Sequence, residues 1–121
     1  MTVIIGENET KEIYETLEWA LGAEALQALR KPGTFEVILN DDGRLWIENH
    51  SQGKHEGRER VSRERQEIVT ALCAHVEGLS PLSASIDAAL SRYGIRVHSS
   101  RTARGGRSIN IRKHSENVIP F

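Results

Sequence analysis

Cysteine occurs once in these 121 residues, as Cys73, which excludes an internal disulfide framework and a cysteine-rich zinc site. A lone thiol among apolar neighbours is expected to be a small buried core residue. No run approaches the roughly 18 to 20 consecutive apolar residues that a membrane helix needs. The amino end, Met1-Thr2-Val3-Ile4-Ile5-Gly6-Glu7, lacks the basic-then-apolar layout of a secretory signal, so a soluble, cytoplasmic protein is the expectation. The phosphate-cradling string Gly-x-x-x-x-Gly-Lys followed by Ser or Thr is missing, and hydrolysis of a nucleotide by this chain alone is therefore not expected. None of His50, His55, His75, His98 and His114 stands in a His-Glu-x-x-His or other local metal spacing, so no metal site is expected. There is no Gly-x-Ser-x-Gly elbow and no recognisable partner for the single thiol, and no catalytic residue is assigned. Aromatic residues number only six, and Trp46 and Tyr93 do not make the interleaved platform of single-strand nucleic-acid binders.

What is present fits one compact α+β domain spanning residues 1–121, long enough to bury a modest core. The net charge of -1 conceals a sharp division. From Arg92 to Lys113 the chain carries Arg92, Arg96, Arg101, Arg104, Arg107, Arg112 and Lys113 without one acidic residue. That stretch is plus seven, and the remainder, nine basic against 17 acidic residues, is minus eight. Such a split suggests a localised anion site more than a generally basic surface.

Apolar periodicity predicts the elements. Ile13, Leu17, Ala20 and Leu21 form the stripe of an amphipathic helix, with Asn8 or Thr10 as its cap, Glu9 and Glu12 at its positive end and Gly22 as its stop. A second short helix is predicted over Ala23 to Leu29 and is ended by Lys31-Pro32-Gly33. Thr34 to Asn40 and Arg44 to Asn49 read as a β-hairpin about Asp41-Asp42-Gly43, with Leu45 and Ile47 on one face and Trp46 and Glu48 on the other. His55 to Val61 is a third, mostly exposed strand. Ser62 then opens a long helix whose Ile68, Val69, Leu72, Cys73 and Val76 face the sheet, and Gly78 closes it. Ser85 to Ala88, Ile95 to Val97 and Ile109 to Ile111 read as three further short strands separated by turns at Gly94 and Gly105-Gly106, although Ala84 to Leu90 alone also suits a helix. The predicted fold is two N-terminal helices, a hairpin or meander, a long helix and three short strands, forming a sheet covered by helices.

Arg96 lies between Ile95 and Val97, and Arg112 follows Ile109-Asn110-Ile111, so each projects from a strand on the side opposite the apolar residues. The guanidinium is a planar, permanently charged fork that matches phosphate oxygens, and two of them on neighbouring strands suit a clamp for a nucleotide phosphate. The alternative is a solvated strand face balanced by the acidic first helix.

The order FEVILNDDGRLWIE, RERQEIVTALCAHV, SPLSASIDAALSRYGIRV, INIRKHS resembles the amino-terminal domain of the TrbB family of conjugal transfer proteins, the hexameric ATPases of type IV secretion systems. The resemblance covers about residues 14–121, and its most specific piece is LNDDGRLWIE. It implies a noncatalytic, nucleotide-contacting and ring-assembly domain that packs over a RecA-like ATPase domain in stacked hexameric rings. ATP then lies between the two domains, and Arg96 and Arg112 match the arginines that approach its phosphates. The P-loop and the Mg²⁺ site reside in the following domain, so ATP and Mg²⁺ are expected only with that domain. Partners implied are the RecA-like domain, further copies in a homohexamer, and type IV secretion components at the inner membrane.

The sequence departs from the family pattern by ending at Ile119-Pro120-Phe121, where the family continues into the ATPase domain, and by carrying Ser99-Ser100 where a proline pair is usual. An excised domain and a truncated product are both compatible with that ending. Two other readings stand beside the first. One is a free-standing nucleic-acid-binding module using the arginine-rich segment 92–113, whose affinity would fall steeply with salt. The other is a truncated regulator that enters the hexamer of an intact homologue.

Overall fold

The computed structural model describes residues 7–113. Within them the chain forms α1 (Glu7–Leu21), α2 (Ala23–Arg30), β1 (Thr34–Leu39), β2 (Arg44–Asn49), β3 (Gly53–Arg60), α3 (Arg63–Glu77), β4 (Ser85–Leu90), β5 (Ile95–Arg101) and β6 (Arg107–Lys113). The expected order of elements is therefore observed, with Ser85–Leu90 a strand and not a helix. One expectation is corrected. Asn8 and Thr10 lie inside α1 instead of capping it, because the Glu and Lys residues of its polar start are good helix formers and carry the helix beyond its apolar stripe. The end of α3 follows the sequence signals closely. The Ser62 side chain accepts from the amide of Arg65, and Gly78 closes the helix in the left-handed region at φ 70°, a conformation that glycine adopts without strain.

All six strands form one antiparallel sheet in the order β3-β2-β1-β6-β5-β4. It consists of two three-stranded meanders, and α3 spans the sheet to connect edge strand β3 with edge strand β4. The pairing of β1 with β6 joins the two halves. Every second residue is buried along β4, β5 and β6. Those positions, with Val37, Leu39, Leu45 and Ile47, meet Leu17, Ala20, Leu21, Leu29, Val69 and Cys73 in one core beneath the helices. The other face of the sheet stays polar and open, the pattern expected of an antiparallel sheet packed on one side.

Two polar groups hold the core in place. Gln66 donates through Nε2 to the carbonyls of Asn40, at 2.6 Å, and Val61, at 3.0 Å, tying the start of α3 to the first hairpin. Arg107 is fully buried. Its Nη2 donates to the carbonyls of Ser83 at 2.8 Å and Pro81 at 3.0 Å, its Nη1 reaches Ala84 O at 3.4 Å, and Glu67 lies 3.7 Å from its Nε. A charge this deep is tolerated because both Nη groups donate to carbonyls and a carboxylate stands beside Nε, which itself makes no hydrogen bond. Arg107→Met is expected to lower the unfolding free energy by about 2 kcal/mol, with less than half recovered by the single-point charge of Arg107→Lys, as read from urea denaturation.

Cys73 is buried on α3 as expected. Burial, reinforced by Glu77, pushes its thiol up from 9.0 to about 12. Tyr93 is shifted upward from 10.0 as well, first by burial and then by donating its hydroxyl to Glu18. Both groups are acids whose folded-state pKa is raised, so their stabilising contribution is complete below the unfolded values and is lost as pH rises above 9.0 and 10.0 respectively. Native protein at about pH 8 is expected to leave Cys73 unmodified by a disulfide-exchange dye until urea unfolds it. Stability should decline on the alkaline side, less steeply above pH 10 in Tyr93→Phe, as measured by urea midpoints across that range.

Candidate functional site

Side chains alternate between the two faces of a strand, so residues two apart share a face. On the open face this places Arg96 beside His98 on β5 and Asn110 beside Arg112 on β6. Strand register then assembles two cross-strand rows. Asp87 lies opposite His98, His98 opposite Asn110, and Asn110 opposite Ile38; one step along, Ala89 lies opposite Arg96, Arg96 opposite Arg112, and Arg112 opposite Glu36. Glu36, Asp87, Arg96, His98, Asn110 and Arg112 line a cavity of about 290 Å³.

The two sequence-predicted arginines are therefore direct cross-strand neighbours. Like charges in that relation are destabilising, and the sheet offsets this from one side only. Glu36 Oε2 approaches Arg112 Nε at 3.5 Å and accepts a hydrogen bond from Asn110 Nδ2 at 3.0 Å. The Glu36 side chain is 10% exposed, whereas that of Arg112 is 75% exposed, so a sheltered carboxylate holds one edge of a guanidinium that otherwise faces solvent. Among the described residues Arg96 has no ion-pair or hydrogen-bond partner. At the other end of the cavity His98 Nδ1 and Asp87 Oδ1 are 2.7 Å apart. The carboxylate only accepts, so the ring donates from Nδ1 and leaves Nε2 unengaged.

The rest of the basic run does not join this site. Arg92 stacks over the Tyr14 ring at 4.8 Å. Arg101 reaches Glu67 at 3.4 Å and the Gly105 carbonyl at 2.8 Å. Arg107 is buried on the opposite face, and Lys113 donates to the carbonyl of Lys31 at 3.0 Å. Gly105 and Gly106 form the β5–β6 turn, with the Gly105 amide donating to Thr102 O at 3.0 Å. His114 and the end of the INIRKHS string lie outside the described residues. Among the described residues no cluster of three or more His, Cys, Asp or Glu side chains is arranged to hold a metal, and no helix is long and apolar enough to cross a membrane.

Glu36, Asp87, His98 and Asn110 were not singled out from sequence. A signal for two of them existed, since His98 is two residues from Arg96 and Asn110 is two residues from Arg112. Glu36 and Asp87 reach the site only through strand pairing.

No family model matches the chain, and no curated protein matches it significantly. Among solved structures its fold is similar to the VirB11 ATPase from the Brucella suis type IV secretion system, determined in complex with sulphate, with a TM-score of 0.71 and 21% identity. The match covers 90% of this chain and 33% of that one. The likeness is one of fold, and the chain spans about a third of that protein's length.

The arginine pair carries a stability cost that Glu36 limits. Glu36→Gln is expected to lower the unfolding free energy by about 1 kcal/mol at low salt, and the loss should shrink at high salt, where repulsion between Arg96 and Arg112 is screened. Paired urea denaturation curves at the two salt concentrations test this.

Proposed function

We propose that this chain is the noncatalytic, nucleotide-contacting and ring-assembly domain of a type IV secretion ATPase of the VirB11 and TrbB kind, acting in conjugative transfer. The observation that carries the reading is the register pairing of Arg96 with Arg112 on the open face of the sheet, where Arg96 lacks a counter-charge and Arg112 is turned to solvent. Two adjacent guanidinium groups on a rigid strand pair suit the oxygens of a phosphate group. The fold likeness to the VirB11 ATPase supports the choice of a type IV secretion ATPase domain.

In this reading the open face turns towards a RecA-like domain. That domain supplies the P-loop, the acidic groups and the Mg²⁺ site, and hydrolysis is its chemistry. Arg96 and Arg112 bind and orient the ATP phosphates from the other side, so that occupancy is coupled to rigid-body movement of this domain within a homohexamer at the cytoplasmic face of the inner membrane. The nucleic-acid-binding alternative is weaker. Its plus-seven segment divides between the two faces of the sheet, with Arg107 buried and Arg101 paired to Glu67.

When the domain is joined to its RecA-like partner, Arg96→Ala and Arg112→Ala are each expected to lower ATPase kcat/KM by about 10- to 100-fold, the value of a hydrogen bond to a charged group. The urea midpoint of Arg96→Ala should be no lower than that of the parent, whereas Arg112→Ala also removes the ion pair of the sheltered Glu36. Steady-state kinetics that match the parent enzyme would remove both arginines from the mechanism. The isolated chain is expected to hydrolyse no ATP.

A further inference from the structure

The cavity holds a third group able to meet an anion, and its charge depends on pH. We propose that His98, oriented by Asp87, is an additional anion-contacting arm of the Arg96/Arg112 site, so that a tetrahedral dianion binds together with one proton. This rests on the assignment of the arginine pair as a phosphate site.

The geometry is that of a neighbour on the same surface. His98 shares a face with Arg96 on β5, and Asp87 lies directly opposite it on β4. With Nδ1 held by the Asp87 carboxylate at 2.7 Å, the nitrogen left to address a ligand is Nε2. In the neutral ring that atom presents a lone pair and repels an anion. In the imidazolium it becomes an N–H donor and attracts one.

The charges facing the ring give the same sign. They are Asp87 from β4, Arg96 from its own strand, Arg112 from β6 beside the neutral Asn110, and Glu36 from β1. The helices occupy the opposite side of the sheet and contribute none. With His98 neutral, two guanidinium groups balance two carboxylates; with it protonated, the cluster is positive by one. An incoming dianion is therefore bound more tightly by the protonated form. Reciprocally, it raises the proton affinity of the ring. Affinity is highest below the ring's own titration midpoint and falls as pH rises above it.

Sulfate suits the test because it remains a dianion throughout the range in which imidazole titrates, whereas phosphate changes its own charge there. The ¹⁵N-labelled 121-residue chain is titrated with sodium sulfate at constant ionic strength between about pH 5.5 and 8.5, following backbone amides of β5 and β6 and the histidine ring resonances. The expected result is an affinity that falls on the alkaline limb by at most about tenfold per pH unit, the limit for one linked proton, and levels at the weaker binding of the arginine pair alone, with an upward shift in the midpoint of a single ring. His98→Gln should abolish both the slope and that shifted ring while retaining weaker, pH-independent binding. Sulfate binding that is pH-independent in the parent chain, yet lost in Arg112→Ala, overturns the role of His98 and leaves the arginine pair standing. Binding absent at every pH, or unaffected by both Arg96→Ala and Arg112→Ala, overturns the arginine site and this extension together.

Discussion

The antiparallel pairing of β1 with β6 is the contact on which the rest of the structure depends. Each three-stranded meander closes locally, but neither half alone buries both of its flanks. Joining them places the most buried strands, with Val37, Leu39, Ile109 and Ile111, at the centre of a six-stranded sheet, and it leaves β3 and β4 as the edges. The same pairing sets Glu36 opposite Arg112 and Asn110 opposite Ile38. A shift of this register by one residue would turn Ile109 and Ile111 outward and bring Arg112 into the core. Core packing and site geometry are therefore fixed by one set of backbone hydrogen bonds.

Packing helices against only one side of the sheet has a second consequence. A run of seven basic residues within 22 positions suggests one positive surface, yet the two-residue alternation of strands divides it. Arg107 faces inward and holds the loop ahead of β4 through three carbonyls. Arg101 is tied to Glu67, while Arg96 and Arg112 emerge on the open face. Identical residue types in one segment thus end in opposite settings, one as a buried structural clamp and two on the open face, where the proposed function makes them phosphate contacts.

The open face concentrates features that folding alone does not favour. Two like charges stand directly opposite one another, a carboxylate is nearly buried to hold one of them, and a histidine–aspartate pair borders the same cavity. Such locally unfavourable arrangements are characteristic of functional sites, where a rigid scaffold tolerates a cost that a ligand offsets. Among the described residues no helix shields this side, and the proposed function assigns it to a second domain. In the proposed assembly that domain closes over the arginines and excludes water from them.

Much of the element order was legible from sequence because it rests on local chemistry. Asp41-Asp42-Gly43 between β-rich runs specifies a hairpin, Ser62 and Gly78 bound α3, and the alternation in Ile95-Arg96-Val97 and Ile109-Asn110-Ile111 identifies the outward residues. For the same reason Arg96 and Arg112 could be named before any strand was placed. Their adjacency, and the arrival of Glu36 and Asp87 beside them, could not, because strand order and register come from long-range burial that has no local signature. Arg107 marks the same boundary. In sequence it is one more arginine of a basic run, and only the alternation of β6 and the loop that covers it decide that its charge is buried.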